Sequence, residues 1–392
     1  MPQPRRLVLP VLLMALALSG CLLNPAAPTQ LANTPSRTGT SQPTSSSGTA
    51  SASVQPDNTP EPAATPMGPL LSAWRFRPTP QDDPRGVVAH PTTGELYFTT
   101  RYGVTVLKPN GASRGYTEAK RLDGLRFAID SPLISADGRS VFFSDWQRGV
   151  SLGLFAVDTG SRSLSKVPFD VGSPIAVDAH LGITAHAALS ADGKRAYLPS
   201  GDLYVYDLET GRRIERHKLG GSAQQIVRLD SDRFLVNLTQ EGDAVGTLVV
   251  FRASGQIGEV LEVPFPICAI AARPGWVVGI SHVVADIFQL VELLPAADDS
   301  LEAQPAAGFI LGGEKGNTQL SLALRPGKRQ VAVGRPGIYP YGETKILDRE
   351  VGELATAETQ HVAGLTFSPD GKALYVAHSP SLVSSLEAFS LP

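Results

Sequence analysis

Ser135-Ala-Asp-Gly138-Arg-Ser-Val141, Ser190-Ala-Asp-Gly193-Lys-Arg-Ala196 and Ser368-Pro-Asp-Gly371-Lys-Ala-Leu374 are three copies of one phrase. Each follows a short apolar run and leads into another: Val141-Phe-Phe143, Ala196-Tyr-Leu198 and Leu374-Tyr-Val376. Strand, Asp-Gly turn, strand reads as a β-hairpin, because glycine accepts the positive φ of a tight turn without steric cost. A hairpin that returns every few tens of residues marks a repeat fold.

Weaker copies extend the register. His90-Pro-Thr-Thr-Gly94-Glu-Leu-Tyr97 is a close relative, and Leu229-Asp-Ser-Asp232-Arg-Phe-Leu235 carries Asp where Gly stood. Arg273-Pro-Gly275 and Arg325-Pro-Gly327 complete the set. The turn positions 94, 138, 193, 232, 275, 327 and 371 are separated by 44, 55, 39, 43, 52 and 44 residues. That is close to the period of roughly 40–45 residues of a four-stranded propeller blade. Third strands rich in Val, Tyr and Phe follow in several units, such as Leu203–Leu208 and Thr247–Phe251, and these residue types suit a pleated, packed surface. No stretch of the mature chain has a sustained helical period. The expected fold is all-β: a seven-bladed β-propeller of four-stranded antiparallel blades over residues 71–392. The last unit ends on Leu386–Leu391, one strand short. Ser72-Ala-Trp-Arg-Phe76 has the alternation to supply the fourth and so remove an open edge.

Leu365-Thr-Phe-Ser-Pro-Asp-Gly-Lys-Ala-Leu-Tyr-Val-Ala377, and less fully Leu189 to Leu198, resemble the YVTN or lactonase-like β-propeller repeat family. The similarity covers the repeat register from about residue 85 onward and is strongest in units two, three and seven. It implies the fold and little about activity, since one fold hosts many functions.

The front of the chain is a different material. Arg5 and Arg6 precede an apolar run, Leu7 to Leu18, as in a signal peptide of residues 1–20. The run is shorter than the ~20 apolar residues that span a bilayer. Leu18-Ser-Gly-Cys21 looks like a bacterial lipobox, which implies cleavage before Cys21 and acylation of its thiol. Several acyl chains anchor a protein firmly without a transmembrane helix. Leu22, not Asp, follows Cys21, and by the sorting rules of the lipoproteins it resembles this implies the outer membrane where the host has one. Ser, Thr, Pro and Ala dominate the rest of residues 21–70, a composition that cannot bury a core, so a disordered tether is expected. Its flexible span is on the order of 35–40 Å.

A net charge of −3 offers no basic surface for nucleic acid. The chain has two cysteines. With Cys21 assigned to lipid, Cys268 is left as a small apolar strand residue.

Motifs that resemble catalytic or binding loops are incomplete in this sequence. Gly111-Ala-Ser113-Arg-Gly115 has the letters of a nucleophile elbow but lacks the helix that must follow it. Leu311-Gly-Gly-Glu-Lys-Gly-Asn317 lacks the order of a phosphate loop. Asp230-Ser-Asp232 begins like a calcium loop, but Leu235 stands where that loop needs glycine. No cofactor and no metal site is expected.

The candidate residues lie at one end of the blades. Connections after the second strands carry Arg101, Tyr102, Asp145, Trp146, Arg148, His282, Arg335, Tyr339, Tyr341 and His378. Arg, Tyr and Trp are hot-spot residue types, and loops on a rigid scaffold are where binding residues collect. Asp130, His186, Gln225, Gln319 and His361 are placed at the mouth of the central channel, in company with Gly86 and Cys268. The resulting expectation is a monomeric, lipid-anchored extracytoplasmic protein of the bacterial envelope. It binds a protein, peptide or glycan through loops on one face and is not read as an enzyme. The alternative is a lactonase-like hydrolase working at the channel mouth.

Overall fold

The computed structural model describes residues 66–77, 84–100, 103–110, 115–123, 128–129, 132–147, 150–167, 186–239, 245–284, 286–311, 320–335, 342–359, 362–378 and 385–392. Of residues 84, 128–129, 144–147, 150–153 and 239 it describes the backbone only. The signal-peptide and tether expectations, Cys21 included, lie outside these residues.

The described residues form a seven-bladed β-propeller. A first strand, β1 (Ser72–Phe76), precedes the blades. Blade one is β2 (Pro84–Ala89), β3 (Leu96–Thr100), β4 (Gly103–Asn110) and β5 (Gly115–Asp123). Blade two has two short inner pieces, β6 (Ala128–Ile129) and β7 (Leu133–Ile134), both paired to β8 (Ser140–Gln147), then β9 (Val150–Asp158) and β10 (Ser163–Val167). Blade three is β11 (Ala188–Leu189), β12 (Arg195–Ser200), β13 (Asp202–Asp207) and β14 (Arg213–His217). Blade four is β15 (Ser222–Arg228), β16 (Arg233–Thr239), β17 (Gly246–Arg252) and β18 (Ile257–Val263). Blade five is β19 (Ile267–Arg273), β20 (Trp276–Val284), β21 (Ile287–Pro295) and β22 (Leu301–Ile310). Blade six is β23 (Ser321–Leu324), β24 (Gln330–Gly334), β25 (Glu343–Asp348) and β26 (Gly352–Glu358). Blade seven is β27 (Val362–Phe367), β28 (Ala373–His378) and β29 (Ser385–Ser390), and β1 is its outermost strand. Pairing within the blades is antiparallel.

The closure anticipated for Ser72–Phe76 is therefore present. Trp74 lies opposite Ala388, Arg75 opposite Glu387 and Phe76 opposite Leu386. The aromatic residues of β1 also reach blade one: Trp74 stands 5.4 Å from the Tyr116 ring and Phe76 6.4 Å from Phe98. The Tyr116 and Tyr375 hydroxyls, 2.6 Å apart, bridge blades one and seven. At the inner edge of the same seam, a Cβ on Gly364 would come within 2.9 Å of the Gly86 Cα. Two glycines thus let the innermost strands of the first and last blades touch. The approach to β1 is held as well, since the Met67 and Leu70 amides donate to the Leu354 and Thr356 carbonyls on the outer strand of blade six.

The core is a ring of seams. Among the described residues seven buried clusters occur, each bridging two consecutive blades. Tyr197, Phe234 and Phe251, for example, join blades three and four, while Val141, Phe143 and Val157 join blade two to Val104 and Val106 of blade one. Non-directional apolar burial suits this job, because each blade face needs only a complementary neighbour.

The repeated phrase folds the same way in all three copies. The Ser135, Ser190 and Ser368 hydroxyls each donate to the aspartate two residues on, at 2.6 Å. That carboxylate accepts the amide of Arg139, Lys194 or Lys372 at 3.0 Å. The serine oxygen in turn accepts the amide five residues on, at 2.9–3.0 Å. Gly138, Gly193 and Gly371 take φ of 73°, 68° and 68°. In blade four, where Asp232 replaces the glycine, the Asp230 carboxylate instead accepts the amides of Asp232 and Arg233.

The serine hydroxyl, and after it the backbone amide, holds the Asp137, Asp192 and Asp370 carboxyls below the usual carboxylate range. A folded-state pKa below the unfolded one adds stability that is present above the unfolded value and is lost as pH falls through the folded one. The wild-type melting temperature should therefore drop on acidification from about pH 5 to pH 3, across the ordinary Asp value of about 3.9. A triple Asp137→Asn, Asp192→Asn, Asp370→Asn variant should melt lower at neutral pH, and its gap from the wild type should narrow as pH falls below the ordinary Asp value of about 3.9. Parallel melting curves at all pH values would contradict this account of the turns.

Candidate functional site

The blades' up-and-down path gives the propeller two unlike ends. Turns between first and second strands, and between third and fourth, gather at one end. Connections between second and third strands, and from blade to blade, gather at the other.

At the turn end several charged groups are committed to structure. Arg162 of blade two donates to the buried Glu95 of blade one at 2.5 Å, and the Tyr97 hydroxyl donates to the same carboxylate at 3.3 Å. Burial, with the Glu95 charge adding to it, raises the Tyr97 phenol well above its usual value. Arg252 of blade four forks onto the buried Asp299 of blade five at 2.5 and 2.9 Å. Arg325 of blade six is buried and donates to the Gly371 carbonyl at 2.7 Å, to Gln330 Oε1 at 2.8 Å and to the Pro392 carbonyl. The turn glycines also rest on the preceding blade: a Cβ on Gly138 would meet the His90 ring at 2.8 Å, and one on Gly371 would meet the Pro326 carbonyl at 2.9 Å.

At the loop end several expected surface residues are parts of the wall. Arg335, just past β24, has no exposure. Its Nη1 donates to Asp286 Oδ1 at 2.8 Å and to the Leu311 carbonyl at 3.0 Å, and its guanidinium lies 5.4 Å from the Phe288 ring centre. His282 sits inside β20 rather than in a loop, with its ring 5.3 Å from the same Phe288. The structure thus brings His282 and Arg335 together around one aromatic ring at the blade five–six seam. Cys268 belongs to that seam, and burial pushes its thiol up to about 12, so it stays protonated.

His378 ends β28 and is 2 % exposed. Its Nε2 is 3.9 Å from Glu387 Oε1, and Glu387 pairs with Arg75 of the closing strand. Burial, with Arg75 adding to it, drives the imidazole down to about 4 and leaves it neutral at ordinary pH. Burial raises the Glu387 carboxyl, and Arg75 opposes that rise. Asp145 and Trp146 lie on β8, opposite Ile129 and Ala128 of β6. Long second strands carry these residues out of the expected loops: β8 has eight residues and β20 nine.

Of the channel-mouth set, Gln225 has a clear role. Its Nε2 donates to the Ile270 carbonyl at 3.0 Å while its Oε1 accepts the Ile270 amide at 2.8 Å. The side chain thus behaves as a piece of backbone, satisfying the exposed inner edge of blade five. Asn237 does a related job on the Ile267 carbonyl at 2.9 Å. His186 is half-buried just ahead of β11. Arg101, Tyr102, Arg148, Tyr339, Tyr341, Asp130, Gln319 and His361 lie outside the described residues. Among the described residues no three or more His, Cys, Asp and Glu side chains group as metal ligands do. Sequence reading missed Asp286, Glu387 and Arg325 as partners; nothing in their local patterns separates them from solvated charges.

No family model matches the chain, and no curated protein matches it in sequence. Solved structures do match. Hydrazine synthase of Kuenenia stuttgartiensis aligns with a TM-score of 0.57 at 14% identity, covering 79% of this chain and 96% of that one. The β-propeller domain of Cps50 (Swd1) from Myceliophteria thermophila aligns with a TM-score of 0.59 at 16% identity, covering 83% and 100%. Likeness at these identities carries the fold alone.

Proposed function

We propose that this propeller is a lipid-anchored, extracytoplasmic protein of the bacterial envelope, related to the YVTN or lactonase-like repeats. It holds a protein, peptide or glycan partner at its loop end. The observation that carries the binding assignment is the contrast between the two ends. At the turn end the recurring Ser, Asp and Arg side chains are consumed by turn geometry and blade-to-blade bonds. At the loop end no turn motif dictates the sequence, and the stretches that follow the second strands in the sequence carry Arg101, Tyr102, Trp146, Arg148, Tyr339 and Tyr341. These residue types supply most binding energy at interfaces. Anchoring rests on the lipobox-like Leu18–Cys21 and the Ser/Thr/Pro-rich stretch after it. The molecule works as a monomer, without cofactor or nucleic acid, on the outer membrane where the host has one.

One set of strains tests both parts. Cys21→Ser should move the protein from the membrane to the soluble fraction and abolish incorporation of a labelled fatty acid; unchanged fractionation overturns the anchor. Trp146→Ala with Arg148→Ala should leave melting and location unchanged. It should reduce the partner crosslinked on intact cells roughly tenfold or more, since hot-spot truncations cost about 2 kcal/mol each. Undiminished crosslinking overturns the chosen end. Lactone hydrolysis by the purified protein, lost in His186→Ala, would favour the hydrolase reading instead.

A further inference from the structure

A cavity of about 520 Å³ lies where the inner strands of blades two to five reach the turn end of the central channel. Its position follows from strand length. The inner strands β7 and β11 have only two residues each, and alanines stand on the wall where larger side chains would close the space. Leu133, Ala188, Ile226 and Ala272 supply one apolar surface from each of the four blades. The volume falls in the range of roughly 300–1,000 Å³ of small-molecule sites, which pair apolar walls with a few placed polar groups.

The polar groups here are unequal. Asp230 is occupied: it accepts Arg233 Nε at 2.7 Å and the amides of Asp232 and Arg233. Arg273 is occupied too, donating to the Lys328 carbonyl at 2.8 Å and lying 5.3 Å from the Trp276 ring. Arg228 is different. It ends the inner strand β15, is half-buried and lines the cavity, and its side chain has no hydrogen-bond or ion-pair partner among the described residues. A half-buried guanidinium without a counter-charge is costly, and a planar carboxylate is its natural bidentate partner.

We propose that this cavity binds a small carboxylate with an aromatic or branched aliphatic body. The carboxylate pairs with Arg228 and the apolar body lies against the alanine-lined wall. The site is at the opposite end from the proposed partner surface and stands independently of it.

The test is calorimetric titration of the purified full chain with naphthalene-2-carboxylate and with its neutral counterpart, naphthalene-2-methanol. The carboxylate should bind roughly tenfold tighter than the alcohol, the ratio that one good charge-assisted contact of about 1.4 kcal/mol gives. Arg228→Met keeps the apolar stem and should reduce that ratio to near one without changing alcohol binding. Ala191→Phe sits on an exposed turn position at the cavity rim, where a large side chain fits without disturbing the core. It should weaken both ligands. Melting curves check that both variants fold, and Arg228→Lys, which keeps charge without the fork, should fall between wild type and Arg228→Met. Absence of carboxylate binding, or an unchanged ratio in Arg228→Met, overturns the proposal.

Discussion

A chain that begins at Pro78, and so lacks β1, is expected to yield no stable monomer, whereas a chain that begins at Pro66 should melt with the full chain. Without β1, strand β29 loses the pairings that Ser72, Trp74, Arg75 and Phe76 make, and blade seven exposes an unpaired edge. The rings of Trp74 and Phe76 leave Tyr116 and Phe98. Removing a fully buried Phe or Trp costs about 3–5 kcal/mol. Two partly buried rings lost together with four backbone pairings approach the ~5–15 kcal/mol that holds a whole domain folded. Glu387 also loses Arg75 and is left against a neutral, buried His378. Size-exclusion chromatography and thermal melting of the two chains decide the matter. The shorter chain should aggregate or pair with a second copy through the open edge. A well-folded monomer melting with the longer chain would mean that closure rests on the blade one–seven contacts alone. The single substitution Trp74→Ala should move the melt in the same direction by a smaller amount.

Arg325→Met should destabilise the propeller by about 3 kcal/mol: three acceptors lose a charged donor, each such bond contributing ~1.5–3 kcal/mol, and the cost of burying the guanidinium charge, which the substitution removes, offsets part of that sum. Methionine preserves the stem, so the loss belongs to the guanidinium. The Gly371 carbonyl, Gln330 Oε1 and the Pro392 carbonyl would be left without it. At an unfolding entropy of about 2.1 cal/mol/K per residue, a propeller of this length should melt roughly 4 °C lower. Arg325→Lys keeps the charge but reaches fewer acceptors and should fall between. Wild-type melting in Arg325→Met would show that water satisfies these carbonyls equally well.

The two predictions concern residues of very different legibility. The closing strand was readable because its evidence is local and periodic. Ser72–Phe76 alternates, and the seventh unit stops one strand short. The turns were readable for the same reason, since Ser135, Asp137 and Gly138 bond within five residues of one another. Arg325, Arg335, Gln225 and His378 were not. Arg335 meets Leu311 and Asp286 across 24 and 49 residues, and Gln225 meets Ile270 across 45. In one dimension Arg335 and Arg101 look alike, each a cation at the end of a second strand.

Sequence alone determined the all-β repeat, the number of blades, the turn positions and the strand that closes the ring. Those follow from φ preferences, side-chain alternation and period, which act over a few residues at a time. Only the tertiary structure decided which polar residues are walls and which are surface. It placed Arg335 in a seam and buried His378 within blade seven, turned Gln225 into a bridge between inner strands, and left Arg228 facing a cavity. A charged side chain takes its meaning from the counter-charge and the solvent around it, and in a propeller both come from the neighbouring blade, some 40 residues away in the chain.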